Sequence, residues 1–232
     1  MKLFSIICES MIWPDSEGIT LEGFKKISFD LKPANLSATS LWLMQTDIPI
    51  PFLSPTLLNY KQRYFTTSTN FLSNRFKTRI IANFWPYPYD PVVFDKQAAI
   101  FNCGRVAMEP EAHQWKTLQT FLRSDEPKNY EWLIYWPTIG HEDYRLKTES
   151  SGIPVHLKET TQLWFSMIRD LLPLVPDTTV LIHTDHGTAR KGMGQAAYEQ
   201  GFAYIPNKLN IDKLDWPALR RLEEQILCGK SA

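Results

Sequence analysis

The residues with the clearest chemical potential follow a hydrophobic run near the carboxyl end of the chain. Asp185 and His186 directly follow the apolar segment 179–184, and Gly187 comes next. A run of β-branched and aliphatic residues predicts a buried parallel strand, and open α/β sheets bind their ligands at the carboxyl ends of such strands. Glycine lets the backbone turn sharply after the two polar side chains. Helix caps and surface hydrogen bonds also use Asp–His pairs, so a second cluster is needed to favour a metal.

That second cluster lies near the amino end of the chain, where the apolar residues 3–8 are followed by Glu9. If the two strands lie side by side in one parallel sheet, Glu9 converges with Asp185 and His186 at one edge. Two carboxylates and an imidazole suit Zn²⁺ or Mn²⁺, and packing them together without a cation is costly. The sequence therefore predicts one divalent metal ion, zinc or manganese, at this edge.

The elements that would position these residues alternate between strands and helices. Short apolar runs predict strands, and 3.6-residue periodicity with proline and capping signals predicts helices. This alternation favours an α/β fold, a mostly parallel sheet with helices on both faces, in a single domain spanning residues 1–232. The predicted strands are 2–8, 78–83, 131–136, 178–184 and 202–205, and the predicted helices are 111–123, 157–173 and one that begins at Asp215.

Composition narrows the classes of function and the compartment. The 232 residues are 44% hydrophobic, enough for a real core, and the formal net charge of zero provides no field that favours nucleic acid or an acidic membrane surface. No segment approaches the ~20 apolar residues of a membrane span, and we find no signal-peptide core. Three widely spaced cysteines are typical of reduced thiols. We therefore expect a soluble, cytoplasmic protein with no nucleic-acid or membrane partner; the oligomeric state is left open.

Asp185-His186-Gly187 after a hydrophobic strand resembles the (S/T)DHG motif of the alkaline phosphatase and sulfatase superfamily. Residues 6–10 resemble its first metal-ligand strand, with Glu9 as in the lipoteichoic-acid synthase and phosphoethanolamine transferase branch. Residues 37–47 resemble the nucleophile helix, in which the nucleophile precedes the Thr of a TG pair by nine positions. That spacing implies Ser37, counted from Thr46; Thr39 is the alternative, because Asp47 replaces the usual glycine.

A fourth segment, residues 135–144, resembles the strand-end GSHGPxY segment of the phosphoethanolamine transferases and places His141 at the substrate phosphate. Two features of two-metal members are missing. Pro137 replaces an Asp, and residues 188–198 hold Arg190 and Lys191 instead of a second histidine. The resemblance therefore implies the one-metal ligand set of the transferase branch: Glu9, Ser37, Asp185 and His186.

The resemblance implies a metal-dependent phosphohydrolase or phosphotransferase acting on a small, soluble phosphoester. Ser37 would attack phosphorus and form a phospho-enzyme intermediate, and His141, Arg190 and Lys191 would bind the phosphoryl oxygens. Two alternatives stay open: a catalytically degenerate binding or scaffold protein, and a mutase-like phosphosugar enzyme, for which two metal sites would be expected. A sulfatase is disfavoured, because residue 37 does not begin a Cys/Ser-x-Pro-x-Arg pattern.

Two neighbours of the candidate site are expected to be structural. His183 is predicted to form hydrogen bonds within the layer between helix and sheet. Cys8 adjoins Glu9, and a neighbouring carboxylate raises the pKa of a thiol, so we expect a buried, unreactive side chain.

Overall fold

The computed structural model describes residues 1–8, 11–32, 44, 72–82, 98–102, 111–137, 158–186 and 200–229. Of the candidate site residues, Asp185 and His186 belong to this part of the chain. The others lie outside the described residues: Glu9, Ser37, Thr39, His141, Arg190 and Lys191.

An eight-stranded sheet forms the centre of the described chain, in the order β4-β3-β5-β1-β6-β7-β2-β8. β7 pairs antiparallel with both of its neighbours, and every other pairing is parallel. The predicted mostly parallel sheet is confirmed; the single domain over 1–232 stays a prediction. The strands are β1 Leu3–Cys8, β2 Phe24–Asp30, β3 Thr78–Ala82, β4 Ala98–Asn102, β5 Trp132–Trp136, β6 Thr179–Thr184, β7 Gln200–Pro206 and β8 Lys213–Asp215.

Helices cover both faces of this sheet, as predicted. On one face, α3 packs Phe165 and Ile168 into the same core as Phe4 of β1. On the other face, α4 packs Leu219 against a core that contains Leu3. The helices are α1 Leu72–Arg75, α2 Glu111–Arg123, α3 Lys158–Leu171 and α4 Trp216–Leu227, with single 3₁₀ turns at Trp13–Ser16, Glu126–Asn129 and Leu172–Leu174.

The start of α4 follows from local chemistry that the sequence shows. Asp215 is extended, and its side chain accepts a hydrogen bond of 2.8 Å from the backbone N–H of Ala218. This contact satisfies one of the donors that a helix leaves open in its first turn, where Pro217 has no N–H to satisfy. The predicted beginning at Asp215 is confirmed, with Asp215 as the capping residue.

No helix in the described ranges is long and apolar enough to span a membrane.

Candidate functional site

Three parallel strands in the middle of the sheet bring the predicted site segments to one edge. β1 lies between β5 and β6, with Ile6 opposite Tyr135 and Cys8 opposite Thr184. Their carboxyl ends therefore lie next to one another, and Asp185 directly follows β6. The predicted convergence of ligands required β1 and β6 to be parallel neighbours. This condition is confirmed.

Asp185 and His186 form a compact buried pair at this edge, 0% and 1% exposed. The backbone N–H of His186 donates to Asp185 Oδ1 over 2.8 Å, and His186 Nε2 lies 3.2 Å from Asp185 Oδ2. Burying a carboxylate is costly unless hydrogen bonds or a positive charge compensate for it. These two contacts fix the positions of the Asp185 and His186 side chains relative to each other.

The separation between these two donor atoms fits a shared metal ion. Two ligands that each lie 2.0–2.2 Å from a tetrahedral ion are about 3.4 Å apart. Asp185 Oδ2 and His186 Nε2, at 3.2 Å, match this spacing. Within the residues that the structure describes, no group of three or more His, Cys, Asp or Glu side chains could hold a metal. A metal ion bound by this pair would therefore need further ligands from other residues.

Cys8 is the last residue of β1, opposite Thr184, and it is 0% exposed. The pKa of Cys8 is raised to about 12, mainly by burial; the Trp164 side chain lowers it and the Asp185 carboxylate raises it. A thiol with this pKa is a poor nucleophile at neutral pH. The predicted burial of Cys8 is confirmed, and its low reactivity stays a prediction.

His183 is buried in the layer between α4 and the sheet. Its Nδ1 lies 2.8 Å from the Thr184 carbonyl oxygen. The ring packs edge-on against Phe29 and Trp216. Burial lowers the pKa of His183 to about 4, so the ring is neutral at pH 7. The predicted structural role is confirmed.

Gly201 is a packing position beside the candidate site that reasoning from the sequence did not identify. A Cβ atom at this position would lie 2.0 Å from Thr184 Oγ1 and 3.0 Å from the Leu31 methyl carbons. The absence of a side chain in β7 therefore makes room for the residue that precedes Asp185. The available signal was a glycine inside the apolar segment 200–206, since glycine within a strand often marks a close approach.

Replacing Gly201 by Ala should destabilise the protein by about 1–3 kcal/mol, because the added methyl group overpacks a rigid site and Thr184 is stiff at χ1. Urea unfolding measures this change. The double variant G201A/T184A should recover much of the loss, because the closest clashing atom is Thr184 Oγ1. Additive losses in the double variant would show that the two positions are not in contact.

The fold of this chain is similar to those of several solved structures. No protein-family model and no curated protein matches the sequence. The lipoteichoic acid synthase LtaP from Listeria monocytogenes has a TM-score of 0.60 at 11% identity, over 99% of this chain and 72% of that chain. The Streptococcus pyogenes phosphoglycerol transferase GacH, in complex with sn-glycerol-1-phosphate, has a TM-score of 0.58 at 10% identity, over 97% and 78%.

The C-terminal periplasmic domain of EcEptC from Escherichia coli has a TM-score of 0.54 at 15% identity, over 88% of this chain and 71% of that chain. The same domain in complex with Zn has a TM-score of 0.50 at 14% identity, over the same fractions. At these identities the likeness establishes the fold. The chain shares the fold of these proteins, and the predicted alkaline-phosphatase-like α/β fold is confirmed.

Proposed function

We propose that this protein is a metal-dependent enzyme of phosphoryl transfer that acts on a small phosphoester. The observation that carries the proposal is the buried Asp185–His186 pair, which directly follows β6 and has the donor spacing of one shared ion. Whether water or an acceptor hydroxyl receives the phosphoryl group decides between a hydrolase and a transferase.

Glu9 is the third proposed ligand, and its place in the chain supports this role. It directly follows Cys8, the β1 residue that pairs with Thr184. Consecutive Cα atoms are about 3.8 Å apart and neighbouring strands about 4.8 Å, so a carboxylate one residue after Cys8 is within reach of Asp185. Ser37 is the fourth proposed ligand.

The bound ion would neutralise a phosphoryl oxygen and lower the pKa of a coordinated hydroxyl. Asp185 and His186 hold their donor atoms in place before substrate arrives, because both are buried. Ser37 is the proposed nucleophile, whose Oγ forms a bond to phosphorus as the leaving oxygen departs. His141, Arg190 and Lys191 are proposed to bind the other phosphoryl oxygens.

The structural neighbours support this class of reaction. GacH is a phosphoglycerol transferase bound to glycerol phosphate, LtaP is a lipoteichoic acid synthase, and a zinc complex is known for the EcEptC domain. These properties belong to those proteins, and they favour a phosphoester substrate and zinc here. The cytoplasmic location stays a prediction, while the EcEptC neighbour is a periplasmic domain.

Removing divalent metal should lower the melting temperature of this protein. A ligand at 100 times its dissociation constant stabilises the folded state by about 2.7 kcal/mol, which for a chain of this size corresponds to roughly 5–10 °C. Thermal unfolding after treatment with a chelator, then with added Zn²⁺ or Mn²⁺, measures the shift. D185N should abolish it, whereas D177N should not, because the exposed Asp177 precedes the other end of β6.

A melting temperature that is unchanged from micromolar to millimolar metal would contradict metal binding. The same samples should hydrolyse or transfer an activated phosphomonoester or phosphodiester. If metal stabilises the protein but no phosphoester is turned over with Zn²⁺, Mn²⁺ or Mg²⁺, the binding or scaffold function replaces the enzyme.

A further inference from the structure

We propose that His183 is a positioning residue for Asp185, because its imidazole holds the peptide group that joins Thr184 to Asp185. This inference rests on the proposed function, since it concerns how a proposed metal ligand is oriented.

The direction of the hydrogen bond follows from its acceptor. His183 Nδ1 lies 2.8 Å from the Thr184 carbonyl oxygen, and a carbonyl can only accept, so Nδ1 carries the proton. That carbonyl belongs to the peptide bond whose nitrogen is the backbone nitrogen of Asp185. Because a peptide group is planar, fixing its oxygen also fixes the direction in which Asp185 leaves β6.

The imidazole packs against two neighbouring aromatic rings. The ring centroids of Phe29 and Trp216 lie 5.7 and 6.2 Å from that of His183, and both rings are almost perpendicular to it. Trp216 is fixed in turn by its indole N–H, which donates to the Leu31 carbonyl over 3.0 Å. The ring of His183 is 1% exposed, so water does not compete for its hydrogen bond. Trp216 of α4 thereby helps to fix the imidazole that contacts the Thr184 carbonyl at the end of β6.

The hydrogen bond formed by Asp185 provides a readout that does not depend on metal. The His186 amide donates to Asp185 Oδ1 over 2.8 Å. If His183 orients Asp185, losing the imidazole N–H should loosen this second bond as well. Amide exchange at His186 in the metal-free protein, relative to the Ile182 amide in the middle of β6, measures that loosening.

Two substitutions at His183 separate the effect of losing its hydrogen bond from the effect of changing the packing around it. H183L removes the donor but stays apolar, whereas H183N keeps an N–H near the position of Nδ1. L219A is the matched control, because Leu219 is buried in the same layer and its truncation lowers stability without removing a donor. We expect His186 exchange to be at least about 10-fold faster in H183L and close to wild type in H183N and L219A.

Metal affinity gives the second readout. H183L should bind Zn²⁺ or Mn²⁺ at least about 10-fold more weakly than wild type, because losing a residue that orients a metal ligand typically weakens binding by this much. If wild type binds no metal, the proposed function fails, and the exchange experiment still decides the role of His183. Equal His186 exchange in H183L and L219A would overturn the inference. A nitrogen NMR spectrum of wild type that shows the proton on Nε2 would also overturn it, whether or not any variant folds.

Discussion

Replacing Ser37 by Ala should reduce turnover of a phosphoester on the order of 10⁴-fold or more, with little change in the melting temperature. The proposed hydroxyl both binds the ion and forms the bond to phosphorus, so its loss removes two roles together. Steady-state turnover of an activated phosphoester, at saturating metal and compared at equal protein concentration, measures the effect.

Thr39 provides the matched control, because it is the alternative nucleophile from the same segment. T39A should keep most of the wild-type activity. If T39A is inactive and S37A is active, the nucleophile is two residues further along, and the superfamily resemblance still accounts for it. Full activity in both variants would show that segment 37–47 does not supply the nucleophile.

The middle of the fold was predictable because its strands are apolar on both faces. β1, β5 and β6 are buried along almost their whole length, and each was predicted to within about one residue. The helix at 157–173 was predicted from periodicity and from the prolines that follow it; it spans Lys158–Leu171, and Trp164 and Ile168 are buried in the core as expected. A strong local pattern is enough to predict a strand that is buried in the middle of the sheet.

β2 was not predicted, because two adjacent lysines interrupt its pattern. The structure shows how one of them is accommodated: Lys26 Nζ lies 3.9 Å from the centre of the Trp13 ring and donates to the carbonyl oxygens of Trp13 and Ser16. These partners precede Lys26 by 13 and 10 residues, and no local pattern reveals them. β4 and the three-residue β8 were also not predicted.

The sequence indicated which types of residue lie at the candidate site, but not the particular contacts that surround them. An apolar run that ends in Asp-His-Gly indicates where polar side chains emerge, and the order of β5, β1 and β6 confirmed the edge. The acceptor of the His183 hydrogen bond is a neighbour in sequence that no pattern singles out. The room that Gly201 leaves for Thr184 depends on how two strands pack against each other. Such contacts exist only in the folded chain.

Glu223 carries the largest expected effect on stability, and its surroundings explain why. It is 0% exposed in α4, and the Ser5 hydroxyl donates to its Oε1 over 2.8 Å. Ser5 Oγ in turn accepts from the Trp132 indole over 3.0 Å. Glu223 Oε2 has no hydrogen-bond partner within the described part of the chain. Burial raises the pKa of Glu223 from 4.5 to about 8, and the Ser5 hydrogen bond and Arg220 only partly oppose this rise.

The contribution of Glu223 to the stability of the wild-type protein should therefore fall as the pH rises from about 4.5 to 8, whereas the lowered pKa of His183 acts in the opposite direction up to about pH 6.5. In this interval the unfolded chain releases the Glu223 proton while the folded chain retains it, so ionisation favours unfolding; above about pH 8 both states are ionised and the loss stops growing. One pKa unit corresponds to about 1.4 kcal/mol, so the whole loss from Glu223 is on the order of 5 kcal/mol.

E223Q should remove this part of the pH dependence, because a glutamine of the same shape does not ionise. Urea unfolding of both proteins between pH 4.5 and 8.5 measures the difference in slope, which is independent of any constant cost of burying the amide. E22Q, which removes an exposed carboxylate, controls for the change in net charge. Parallel stability curves for wild type and E223Q would mean that Glu223 ionises in the folded protein as easily as in the unfolded chain. That result would contradict the raised pKa expected from its burial and its single hydrogen bond from Ser5.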